Sequence, residues 1–121
     1  LASLASLTGA TMPKGSAPDS YNFMGSWLGK EKVDRPWVIE QAANHTMSVR
    51  TKDWKYIEPH GGPKMIQWGP KIETGSSKDP QLYKMEEVKE IINYAPQMPE
   101  KVIELQTILQ NVREGKDLIG K

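Results

Sequence analysis

The sequence predicts an α+β fold: a small four-stranded antiparallel sheet covered by a C-terminal amphipathic helix and preceded by short helices. Three observations point there. Apolar and polar residues alternate over residues 47–51 and again over 54–57, with Lys52-Asp53 between them, so the two runs form an antiparallel hairpin. A further short β-rich run, 82–85, follows a long stretch rich in Pro and Gly. Beyond Pro99 the period lengthens. Val102, Leu105, Leu109 and Val112 mark one helical stripe, widened by Ile108.

Each element has its own punctuation. Leu1, Leu4 and Leu7 recur every third residue and stop at Gly9, a suitable helix C-terminus. Residues 11–18, with two Pro and Gly15, read as loop. Asp19-Ser20-Tyr21 is placed to cap a short helix carrying Phe23, Met24, Trp27 and Leu28 and ended by Gly29. The charged run 30–35, closed by Pro36, is the linker and marks a boundary. Residues 37–42 begin directly after that Pro, where extended backbone is favoured, and supply the first strand.

Between Pro59 and Pro80 the chain holds four Pro and four Gly in 22 positions, which leaves room only for a short strand at 65–68. A loop that long in a compact domain is usually functional or partly disordered. Residues 86–94 are expected to form a helical turn or two before Pro96. Pro99 suits the first turn of the final helix and Glu100 its positive end, and Gly115 closes it.

Composition removes several function classes. With 16 basic and 15 acidic residues the charges nearly cancel, and no basic stripe of the kind that grips nucleic acid is present. No apolar run approaches the roughly 20 residues of a membrane-spanning helix. The chain has no cysteine, so disulfides, thiol nucleophiles and thiolate metal sites are all absent. At 121 residues it is one domain's worth. The opening Leu-Ala-Ser-Leu repeat lacks the basic start of a signal peptide and reads as part of a longer helix.

No catalytic motif is complete. His45 and His60 stand 15 residues apart with no third ligand at helical or hairpin spacing, so no metal site is expected. Each reads first as an exposed loop histidine, and His45 second as a residue reaching a substrate pocket, since loops on a rigid scaffold often do. Glu86, Glu87 and Asp117 read as solvated helix ends. Gly61-Gly62-Pro63-Lys64 and Gly69-Pro70-Lys71 lack phosphate-loop spacing and read as turns. Asn44-His45-Thr46 fits a glycosylation sequon, a frequent chance match.

Arg50 and Lys55 flank one turn and should be hairpin neighbours. They either pair with Glu40 and Glu58 or bind a sulfate or carboxylate. Trp37 and Trp54 read as core aromatics, and Trp68, in the irregular loop, as a stacking platform. The substrate-contacting candidates are therefore His45, Arg50 and Trp68. The catalytic and metal lists are empty.

Taken in order, these phrases resemble the C-terminal end of the sulfatase family, of the alkaline phosphatase superfamily. Residues 1–10 are similar to its Leu-Ala-x-Leu-x-Gly helix. Asp19-Ser20 with Trp27-Leu28-Gly29 is similar to its Asp-Gly-x-Ser passage and the Leu-Leu-Gly after it. Arg50, Trp54-Lys55 and Leu82-Tyr83 match its sheet phrases, and 99–109 its terminal helix. Lys84 departs from the usual Asp, Glu87-Val88-Lys89 replaces an acidic-Pro turn, and Asn93-Tyr94-Ala95 arrives a residue early.

The resemblance implies a parent enzyme in which a Cys or Ser becomes formylglycine and attacks a sulfate ester beside calcium. None of those motifs is in this chain, and no catalytic residue carries over. It further implies that residues 1–35 are the tail of a large catalytic domain and 36–121 a C-terminal subdomain. The partners are then that large domain and a sulfated carbohydrate, with no nucleic acid or membrane, in a bacterial protein that is periplasmic or secreted. Cofactors are none in this piece. Cut away from its partner, the piece should expose apolar surface and form a homodimer. Two other readings remain open: a free-standing glycan- or protein-binding module, and a phosphoesterase of the same superfamily.

Overall fold

The computed structural model describes residues 1–18, 20–87 and 89–116. Asp19, Val88 and Asp117, used in the readings above, lie outside the described residues. The described residues divide into two compact units: Leu1–Pro36 together with residues 111–116, and Trp37–Gln110.

In the Trp37–Gln110 unit four strands form a meander: β1 (Val38–Gln41), β2 (Met47–Arg50), β3 (Trp54–Ile57) and β4 (Gln81–Lys84). All neighbours are antiparallel and follow chain order. The hairpin between β2 and β3 pairs Arg50 with Lys55 and Val49 with Tyr56. Its turn closes where the Thr51 N–H donates to the Trp54 carbonyl at 2.8 Å, while the Trp54 N–H donates back to Thr51 Oγ1. The final helix, here α3 (Pro99–Arg113), starts at its Pro, with Glu100 in its first turn and Arg113 in its last.

Alternation along the strands separates two faces. Val49, Tyr56 and Leu82 share one face and are almost fully buried with Val102, Leu105 and Leu109 of α3. Trp37, Ile39, Met47 and Trp54 border this core. Trp54 meets Tyr94 edge to face, with ring centroids 5.9 Å apart, and Lys84 Nζ lies 4.9 Å from the Tyr94 ring. Lys84, where the resembling family has Asp, thus finds a cation–π seat.

The expected helical turns over residues 86–94 are absent among the described residues, and the reason is visible at β4. Its outer edge needs partners for its backbone groups. Asn93 Oδ1 accepts the Leu82 N–H at 2.9 Å and the Ala95 N–H at 3.0 Å, while Asn93 Nδ2 donates to the Pro80 carbonyl. The Tyr94 N–H donates to the Leu82 carbonyl at 2.8 Å. Backbone committed to that edge is not available for helix. The short strand expected at 65–68 is likewise reduced to one bridge, Met65 to Glu73.

In the Leu1–Pro36 part of the other unit, α1 (Ala2–Thr8) ends at Gly9 in the left-handed conformation, as its sequence requires. Ser3 and Ala5 are its buried residues, whereas Leu1, Leu4 and Leu7 are exposed. The second helix, α2 (Met24–Trp27), has Phe23 as N-cap, and the Met24 N–H donates to Asn22 Oδ1. Ser20, expected to cap this helix, instead accepts the Ala2 N–H at 2.8 Å and so caps α1. Ser3 Oγ ties the same two segments by accepting the Phe23 N–H and donating to the Tyr21 carbonyl.

Candidate functional site

The face of the sheet away from the core is polar. Strand register sets Glu40, Ser48, Ile57 and Gln81 in one row, and Val38, Arg50, Lys55 and Tyr83 in the next. Instead of a helix, part of the long 59–80 excursion lies against this face. Gln81 Nε2 donates to the Gly75 carbonyl at 2.8 Å, and Tyr83 Oη donates to Gln81 Oε1 at 2.8 Å. The excursion is tied at its base by the His60 N–H to the Ser77 carbonyl, 2.7 Å, and by Asn44 Nδ2 to Ser76 Oγ. Farther out, the Thr74 N–H donates to the Lys64 carbonyl and Thr74 Oγ1 to the Pro63 carbonyl.

Between this strap and the β1–β2 turn lies a cleft of about 250 Å³. Glu40, Gln41, Asn44, Thr46, Ser48, Lys55 and Thr74 supply its polar groups, and Ile57 an aliphatic patch. Ser48 and Thr46 are buried. Ser48 Oγ donates to Glu40 Oε2, whereas Thr46 Oγ1 has no hydrogen-bond partner among the described residues.

The charges on this face differ from the sequence-based pairing. Lys55 Nζ binds Glu90 Oε1 at 2.9 Å rather than Glu40 or Glu58. Glu58 Oε1 accepts the Met47 N–H at 2.8 Å. Sequence spacing could not foresee Glu90, because it is 35 residues away and reaches Lys55 only through the fold. Burial, and after it the nearby Glu90 carboxylate, push the Tyr83 phenol above its ordinary range.

The three sequence-derived candidates are placed as follows. His45 holds the left-handed position of the β1–β2 turn at φ 67° and is exposed. The turn is closed by its own N–H to the Ala42 carbonyl and by the Asn44 side chain accepting the Thr46 N–H. Arg50 is exposed at the far end of β2 from the His45 turn. Trp68 is 78% exposed between the bridged residues Met65 and Glu73.

These three do not form one constellation. The cleft residues are the grouping that sequence reasoning missed, although Glu40, Ser48 and Lys55 stand on one face by simple alternation. His60 is half-buried, and its Nδ1 has no partner among the described residues.

Neither cofactor implied by the resemblance fits these residues. Calcium takes six to eight oxygen ligands, and among the described residues no three His, Asp or Glu side chains converge. Formylglycine forms from a Cys or Ser in a Cys-x-Pro-x-Arg-type motif, and the sequence has no cysteine and no serine in such a motif. Among the described residues no helix is long and apolar enough to cross a membrane.

Comparison with known proteins was then decisive on ancestry. No family model matches the chain. It is 38% identical over 113 residues to an N-acetylgalactosamine-6-O-sulfatase of Bacteroides thetaiotaomicron, an alignment covering 93% of this chain and 22% of that protein. A solved structure from work on glycosaminoglycan metabolism in the same bacterium superposes with a TM-score of 0.84 at 37% identity, covering 93% of this chain and 24% of that one. The chain therefore spans less than a quarter of the length of either relative.

Proposed function

We propose, for a chain homologous to a sulfatase and consistent with the arylsulfatase branch of the alkaline phosphatase superfamily, the role of an accessory C-terminal subdomain. The observation that carries this reading is the alignment itself: it runs through 93% of the chain yet takes up only 22% of the relative. On this reading residues 1–35 end the large catalytic domain and residues 36–121 form the subdomain. The reaction, hydrolysis of a sulfate ester on a carbohydrate, belongs to the whole protein. Calcium and formylglycine would be held by the remainder, and the protein would act in the periplasm or outside the cell. The name of the relative makes N-acetylgalactosamine 6-sulfate the first substrate to try.

What this chain contributes is shape and polar contact. The meander gives a rigid base, and the β1–β2 turn and the 59–80 excursion project from it as loops. His45 offers an imidazole at a turn whose backbone is pinned by Asn44. Arg50 offers a planar guanidinium suited to a sulfate, and Trp68 a ring face suited to a sugar. Exposed Leu1, Leu4 and Leu7 on α1, and Trp27 and Leu28 at α2, are the apolar surface that the rest of the large domain would cover. Expressed alone, the piece should use such surface to dimerise, which analytical ultracentrifugation would register as a concentration-dependent mass.

The test is an assay of the full-length protein beside this chain alone, on 4-nitrocatechol sulfate and on N-acetylgalactosamine 6-sulfate. Activity confined to the full-length protein is the expected result. An inactive full-length protein, with glycan binding by this chain alone, would replace the reading with that of a binding module. The exposed Trp68 between Lys64 and Lys71 is the feature that favours that alternative.

A further inference from the structure

Two features of the polar sheet face have no structural explanation. Arg50 and Lys55 are direct cross-strand partners, and like charges placed opposite one another destabilise a sheet. Glu90 offsets Lys55 only, and Arg50 has no ion-pair partner among the described residues. The second feature is Thr46, a cleft-lining residue that is 93% buried and whose hydroxyl has no hydrogen-bond partner among the described residues. An orphaned buried hydroxyl costs stability unless something supplies its partner.

An anionic occupant of the cleft would answer the first. We infer that the cleft between the β1–β2 turn and the Thr74-Gly75 strap is a subsite for a single sugar residue bearing a sulfate or carboxylate. This rests on the sulfatase reading above. Its size supports a single ring, since about 250 Å³ falls just below the range typical of drug-sized ligands. Its chemistry supports a polyol. The exposed Glu40 carboxylate can accept from sugar hydroxyls, and Asn44, Ser48 and Thr74 make a polar border around the aliphatic patch of Ile57. The anionic substituent is directed to Lys55 at the cleft wall, beside Arg50. The sugar would also relieve the Arg50–Lys55 repulsion, which an uncharged ligand would leave in place.

The strap makes the cleft a built site rather than a surface dimple. It is held to the sheet by the Tyr83–Gln81–Gly75 chain of hydrogen bonds and to the turn by Asn44–Ser76. Neither tie uses the cations or the Glu40 carboxylate, so a ligand can engage Arg50 directly and share Glu40 with Ser48 and Lys55 with Glu90.

Isothermal titration of the full-length protein with N-acetylgalactosamine 6-sulfate, N-acetylgalactosamine and inorganic sulfate tests this. The sulfated sugar should bind more tightly than either component, and Lys55→Met should weaken it roughly tenfold by removing a charge-assisted contact. Glu40→Gln, an isosteric change at an exposed side chain, should weaken the sulfated and unsulfated sugars alike. It keeps the test readable if Lys55→Met fails to fold. Unchanged binding in both variants overturns the proposal. So does inorganic sulfate binding as tightly as the sugar sulfate. Turnover of 4-nitrocatechol sulfate by the unsubstituted protein reports on the parent reading separately: its absence sinks that reading, whereas turnover with unaltered variants sinks only the cleft.

Discussion

The two faces of one four-stranded sheet have been put to different uses. On the inner face, Val49, Tyr56 and Leu82 are sealed under α3. On the outer face, their sequence neighbours Ser48, Lys55 and Gln81 meet a loop strap and a cleft. The members of each pair are consecutive in the chain, and the strand's period of two sends them to opposite faces. The difference shows where tolerance to change should lie. The inner face carries stability through close apolar packing. The outer face carries polar groups whose removal should alter binding more than folding.

The sharpest way to break this division is Leu105→Ala. Leu105 is fully buried against the sheet, so the truncation leaves a cavity and should cost about 2–5 kcal/mol. Amide hydrogen exchange in β2, β3 and β4 would register the loss as faster opening across the whole sheet. An effect confined to α3 would mean that the helix and sheet do not share one core.

Gly62→Ala probes the outer face through its strap. Gly62 has φ 152°, a region L-residues rarely adopt, and an added Cβ would stand 3.2 Å from Ser76 Oγ. The cost should be about 1–3 kcal/mol, felt in the 59–80 excursion more than in β2. Faster exchange of the His60 N–H, which donates to the Ser77 carbonyl, would show it.

How much of this was legible in the sequence follows the same division. The strands, their hairpin register and the α3 stripe were readable because period two and period 3.6 are local signals. The Arg50–Lys55 pairing followed from turn length alone. The segment 86–94 was misread because its backbone partners lie on β4, fixed by the Asn93 side chain, and propensity carries no record of such a hub. Ser20 was assigned to the wrong helix for a related reason: its hydroxyl reaches 18 residues back to Ala2 rather than forward. Of the candidate site, His45, Arg50 and Trp68 are exposed but stand apart from one another along the chain. The cleft was not seen, since it needs Thr74 and Gly75 brought against Glu40 and Ser48 by a loop with no period.

A smaller and purely electrostatic distinction lies at the junction between β4 and α3. Tyr94 Oη donates to Glu87 Oε1 at 2.6 Å, and this hydrogen bond, with burial and the nearby acidic charges, raises the phenol above its ordinary range. A raised folded-state value means that the folded chain holds its proton when the unfolded chain has lost it. The stabilisation is therefore complete below the unfolded phenol's titration, and it fades as pH rises through the folded one, above about pH 10. Tyr83 shifts the same way and should act in the same window. Tyr94→Phe should flatten part of the alkaline decline in exchange protection near Leu82. A decline of unchanged steepness would assign the effect to Tyr83 and the lysines.

The smallest expected effect on folding is also the most telling about use. Trp68 is 78% exposed and stands outside the core, so Trp68→Ala should change stability by no more than about 0.5 kcal/mol. A large exposed aromatic that contributes nothing to the fold is costly in solubility, and a sugar-stacking role would account for keeping it there. In the full-length protein the substitution should then raise KM for a sulfated oligosaccharide while leaving kcat near its original value, because a stacking contact remote from the reacting atoms binds ground and transition states alike. A fall in kcat with KM unchanged would place Trp68 against the reacting group. No change in either, with exchange protection intact, would leave the cleft on the outer sheet face as this subdomain's contact with substrate.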